Sequence, residues 1–157
     1  MPAQRRHSRF GQSMIEFAIM APILFLLLLG TIDLGRAVYI YNSISEATRE
    51  GTRAAVPFDN PLPSTSTVVA AVQSKLGGGF ALQVDPCAGQ PQGVGCPSTP
   101  TQSNSGLIWY SPGIGQRGHR SITVKITFLF QPWIPVVRDA AGPGMTISAE
   151  STMVAEY

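Results

Sequence analysis

Sixteen consecutive residues, Phe17 to Ile32, carry no charge, and this run constrains the fold more than any other feature of the 157-residue chain. Thirteen of the sixteen are hydrophobic; Pro22, Gly30 and Thr31 are the exceptions. The ten that are Leu, Ile or Phe favour membrane insertion by roughly 3–6 kcal/mol, at about 0.3–0.6 kcal/mol each. Taken from Met14 to Leu34 the stretch makes a helix about 31 Å long, which matches a hydrocarbon core about 30 Å thick. A buried core helix would need neighbours able to wrap it on all sides, and no other segment can do so. A cleaved secretory signal would need a small-x-small site just beyond the apolar region. The chain continues Thr31-Ile-Asp-Leu-Gly-Arg36 instead.

Charge is distributed around this run in a way that orients it. Residues 1–11 hold Arg5, Arg6 and Arg9 and no acid; residues 12–36 hold Glu16, Asp33 and Arg36; the remainder is neutral, with seven basic and seven acidic groups. The positive-inside rule then puts the N-terminus in the cytoplasm and the body outside. The expected organisation is a basic cytoplasmic leader over 1–11, a transmembrane helix over 12–36 and an extracytoplasmic head over 37–157. Only 13% of residues are charged and 44% are hydrophobic, which excludes a disordered tail. Nor does a net charge of +2 make a nucleic-acid surface, which needs clustered Lys and Arg.

Nothing stops the helix at Leu34. Gly35 weakens it by about 1 kcal/mol without breaking it. Ala37, Ile40, Ile44, Ala47, Gly51 and Ala54 recur at helical spacing, while Glu46, Arg49, Glu50 and Arg53 fall off that stripe. The spacing predicts an amphipathic helix over 37–56, continuous with the span and ended by Pro57. A short helix is expected over 66–76, with caps in Ser64–Thr67 and a glycine close at Gly77–Gly79. Phe80 to Asp85 alternates like a short strand. Residues 86–120, rich in Gly, Pro, Ser and Gln, read as a long loop with room for a short strand at 107–111. Strands follow over 121–130 and 145–156. Ile122, Val124, Ile126, Phe128 and Phe130 share one face, and Met145, Ile147, Ala149, Met153 and Ala155 another. Pro132, Pro135 and Pro143 between them suggest an irregular connection. The fold class is therefore α+β: a long N-terminal helix whose outer half packs on a small antiparallel sheet.

Chemistry-bearing constellations are sparse. Cys87 and Cys96 are the only cysteines. A bridge between them would close a ten-residue loop and stabilise by roughly 2–3 kcal/mol, in a compartment that permits it. The two histidines, His7 and His119, fall on opposite sides of the span, so no metal site is expected. His119 lies in a polar turn, Gln116-Arg-Gly-His-Arg120, without a nucleophile elbow, and the carboxylates are scattered. No catalytic residues and no cofactor are assigned, and a secreted hydrolase would need a nucleophile and base that this chain lacks. Pro22 removes a hydrogen bond to the carbonyl of Ala18 and is expected to kink the span.

The informative constellation is Gly11-Gln-Ser-Met-Ile-Glu16-Phe17. Intramembrane charge is costly and usually functional, although Glu16 can also be read as a first-turn residue at the interface, favoured by the helix dipole. Basic residues before Gly11, and Glu16 five residues after it, suit a membrane peptidase cutting between Gly11 and Gln12. The new amino group would then lie near Glu16 or a neighbour's Glu16.

This pattern resembles the class III leader of type IV pilins and pseudopilins, Gly-x-x-x-x-Glu-Phe/Tyr. Ile15-Glu-Phe-Ala-Ile-Met-Ala-Pro22, Gly30-Thr-Ile-Asp-Leu-Gly-Arg36 and Ala47-Thr-Arg-Glu-Gly-Thr-Arg-Ala-Ala55 more specifically resemble the TadE-like family of the tight-adherence (Tad/Flp) pilus system. The resemblance covers 12–55 and implies a pilin-like fold and a non-enzymatic minor pilin or pilus-assembly protein of the bacterial inner membrane. Its implied partners are the lipid bilayer, a prepilin peptidase, and other pilin-type subunits and assembly proteins. The alternative is a single-pass anchor bearing an extracytoplasmic binding module for another envelope complex.

Overall fold

A computed structural model of the protein describes residues 10–57, 61–92 and 99–155. The long helix, α1, runs unbroken from Phe10 to Ala55 through Pro22, a length of about 69 Å. It starts before the expected Met14 and includes Gly11, which had been assigned to the leader. It ends as expected: Val56 bends, Pro57 follows, and the last turn closes with Val56 N–H donating to the Arg53 carbonyl at 3.3 Å. Helix α2 spans Thr65–Leu76, where the Ser64 side chain accepts from Thr67 N–H, and a three-residue 3-10 turn of Gly77–Gly79 follows.

Four strands form one sheet in the order β1-β2-β3-β4, with β1 at Ala81–Val84, β2 at Ser105–Tyr110, β3 at Arg120–Phe130 and β4 at Met145–Ala155. The antiparallel expectation holds for β2–β3 and β3–β4 but not for β1, which pairs parallel to β2. A parallel neighbour needs a crossover of a dozen or more residues, and the connection from Asp85 to Asn104 is long enough to supply it. The sheet is therefore mixed. The long loop expected over 86–120 is interrupted by β2. The connection expected to be irregular holds a short helix, α3, at Pro135–Ala141, with Pro135 in its first turn, where a missing N–H is harmless.

The outer half of α1 lies across β3, β4 and α2. Ile40, Ile44, Ala47 and Ala55 are buried, together with Thr48 and Thr52. Both threonines satisfy their hydroxyls locally: Thr48 donates to the Ser45 carbonyl and Thr52 to the Thr48 carbonyl, with the Ser151 carbonyl of β4 at 3.3 Å. Ile122, Val124, Ile126, Phe128 and Phe130 fill the sheet side, as the alternation predicts, and Val68 and Val72 close the layer from α2. Met145 is the exception. It was placed on the inward face but is 46% exposed, because it pairs with Phe130 at the membrane-proximal end of the sheet, beside the bare half of α1.

Candidate functional site

The functional surface begins where α1 leaves the head. None of residues 14–32 is buried. Met14, Ile15, Phe17, Ile19 and Met20 are all more than 60% exposed. A helix that is apolar all round and uncovered by its own chain has the length and composition to cross a membrane. Its one hydroxyl group between Phe17 and Ile32, on Thr31, donates to the Leu27 carbonyl at 2.6 Å, so the polar atom is satisfied within the helix.

At the N-terminal end, Gly11, Gln12 and Glu16 occupy the first two turns of α1. Gln12 Nε2 donates to Glu16 Oε1 over a long 3.4 Å, and Phe17 projects outward at 69% exposure. Nothing lies within 4 Å of a Cβ built on Gly11, and its φ is not positive. The fold itself therefore gives no reason for glycine at this position. The basic residues Arg5, Arg6 and Arg9 lie outside the described residues.

At the outer end the structure assembles a collar that sequence reasoning missed. Asp33 is 6% exposed. Its Oδ1 accepts from Arg36 Nη1 at 3.1 Å, and its Oδ2 from the backbone N–H groups of Trp133 and Ile134 at 3.0 and 3.2 Å. The carboxylate thus serves the start of α3 from a position a hundred residues earlier. The Arg36 guanidinium lies 3.9 Å from the Trp133 ring centroid and 5.2 Å from that of Phe130, within cation–π range. Ile134 reaches a full turn further down the span, where its Cδ1 would lie 4.0 Å from a Cβ on Gly30. A spacing of i, i+3 in Asp33-Leu-Gly-Arg36 was the available signal for the ion pair; Trp133 was too remote in sequence to be linked to it.

In the head, Asp85 Oδ1 accepts from Cys87 N–H at 2.8 Å, and Gly89 N–H donates to the Tyr110 carbonyl. These bonds pin the first part of the long connection to β2. Cys96, and with it the expected Cys87–Cys96 bridge, lies outside the described residues. Exposed His119 sits just before β3. Among the described residues no group of three His, Cys, Asp or Glu side chains could hold a metal ion.

The model of the TadE-like protein family matches residues 11–53. No curated protein and no solved structure is significantly similar to the chain. The matched segment begins at Gly11, runs through the bare apolar length and the Asp33–Arg36 pair, and ends two residues before α1 does, so the similarity to the TadE-like family lies in this helix.

Proposed function

We propose that this protein is a membrane-anchored, pilin-type component of a Tad pilus assembly system, and that it works by packing rather than by catalysis. The observation that carries the reading is the coincidence of the family match over 11–53 with a helix half in which, among the described residues, none of 14–32 is buried. Residues 12–36 cross the inner membrane with the N-terminus cytoplasmic, and the head stands outside. A prepilin peptidase cuts between Gly11 and Gln12, consistent with a glycine for which the fold has no use. Glu16 stays near water while the subunit is alone. In a bundle of pilin-type helices it loses water and pairs with the amino group of a neighbour's Gln12. Pro22 bends the span to aid lateral packing, and a Cys87–Cys96 bridge ties the head's long connection.

The test is made in cells that contain the pilus system. The mature N-terminus is expected at Gln12, and Gly11→Trp should leave only the longer form. Glu16→Ala should stay in the membrane fraction, since the apolar residues alone favour insertion by several kcal/mol, but should lose co-purification with the other pilus components. An uncut chain that assembles normally without Glu16 would overturn the pilin-type mechanism and leave a single-pass anchor with a binding head. For the bridge, free-thiol labelling under denaturing conditions should require reductant.

A further inference from the structure

Among the described residues, five large apolar residues of the head outside α1 are prominently exposed: Val84, Trp133, Val137, Met145 and Val154. Three of them, Trp133, Val137 and Met145, lie in or beside one connection, between β3 and β4. That connection is held at a defined height on α1. Trp133 and Ile134 are bonded to Asp33, and Ile134 reaches Gly30. Asp33 lies seventeen residues beyond Glu16, about 26 Å along the helix, so a span that begins at Glu16 reaches the far edge of a hydrocarbon core about 30 Å thick near Asp33.

We propose that the Trp133–Val137 segment and Met145 seat in the boundary between headgroups and acyl chains of the outer leaflet, as a second contact with the phospholipid bilayer. The inference rests on the reading of residues 12–36 as a membrane span. Three features fit a lipid surface as the occupant. The apolar patch is continuous with the span: Leu29, Ile32, Trp133, Ile134 and Pro135 line one cleft, with Asp33 as its only ionisable group. Trp133 is 66% exposed, and the amphipathic indole is the side chain enriched at headgroup level. Arg36 lies at the same height, its guanidinium over the indole and the Phe130 ring, where a cation can reach the headgroup level. The charged pair that follows, Arg138 and Asp139 at 3.8 Å, marks where the connection turns back towards water.

The test uses the full chain in phospholipid vesicles whose acyl chains are brominated near the headgroup end. The chain has two tryptophans. Trp109 pairs with Lys125, five residues from Phe130 and so about 16 Å further from the membrane along β3. Emission of the wild type is compared with that of Trp133→Phe, whose difference isolates Trp133. Trp109→Phe, which keeps Trp133 in place, provides the same comparison if Trp133→Phe perturbs the head. Trp133 emission is expected to fall about two-fold in brominated vesicles, as for an indole at the interface, while Trp109 is unchanged. Leu24→Trp in the Trp133→Phe background reports the span separately. Quenching at position 24 with none at Trp133 overturns the second contact and leaves the span intact, and a Trp133 shielded from both bromine and added iodide overturns it too, since a second copy of the chain then covers the patch. Loss of quenching at both sites overturns the span and this inference together.

Discussion

At the scale of single residues, Gly51 sets how closely α1 and α2 approach. A Cβ built there would lie 2.5 Å from Val72 Cγ2 and 3.5 Å from Val124 Cγ1, and both valines are fully buried. Alanine would gain about 1 kcal/mol of helix propensity, but overpacking a stiff, enclosed valine costs about 1–3 kcal/mol. Gly51→Ala is therefore expected to be destabilising, and Gly51→Val more so. Adding Val72→Ala should recover part of the loss through a coupling that separated sites would not show. Thermal unfolding of the wild type, Gly51→Ala, Val72→Ala and the double variant in detergent, followed by circular dichroism, measures it; independent, additive effects would place the clash elsewhere. The stripe that contains Gly51 was legible from spacing alone. Its neighbours Thr48 and Thr52 were not, because a threonine that returns its hydroxyl to its own helix is as buriable as a valine, and polarity patterns do not reveal it.

Among elements, those with a strong period were legible and those defined by distant partners were not. The apolar run, the stripe beyond it, the Ser64 cap and the alternation of β3 each depend on neighbours within a turn or two. The parallel pairing of β1 depends on where a Gly- and Pro-rich connection returns, which its composition leaves open. Helix α3 was read as irregular because its prolines count as breakers until the position of Pro135 in the first turn is known. The tie between α1 and α3 was hidden for the same reason: Asp33 and Trp133 stand a hundred residues apart until the fold joins them. Removing that carboxylate should expose its value. Asp33→Ala leaves two backbone N–H groups at the start of α3 and one guanidinium without their acceptor. At about 1–3 kcal/mol for a buried group left unsatisfied, the midpoint of thermal unfolding should fall measurably. Asp33→Asn keeps an acceptor for the backbone and should lose less. Equal midpoints for all three proteins would mean that water replaces the carboxylate without cost.

For the molecule as a whole, the collar decides whether head and span move as one body. Two connections between them bear on the prediction. One is the backbone of α1, which passes through Gly35, an exposed helical glycine with nothing within 4 Å of its Cβ position; glycine weakens a helix by about 1 kcal/mol relative to alanine. The other is the Asp33 carboxylate, which holds Arg36 across Gly35 and holds Trp133 and Ile134 from the end of the sheet beside the bare half of α1. With both in place the span is expected to leave the head at one angle, which the proposed packing among pilin-type helices would use. Spin labels at Leu24 in the bare half of α1 and at Glu150 on the exposed face of β4 report that angle as a distance distribution in vesicles. Asp33→Ala should broaden it, because the glycine-weakened helix and the apolar and stacking contacts of Ile134 and Arg36 then carry the join without the carboxylate's hydrogen bonds. Gly35→Ala added to Asp33→Ala should narrow it again by stiffening that helix. An unchanged width in Asp33→Ala would show that α1 alone fixes the angle, and the collar would then be a local contact with no part in holding the subunit's shape.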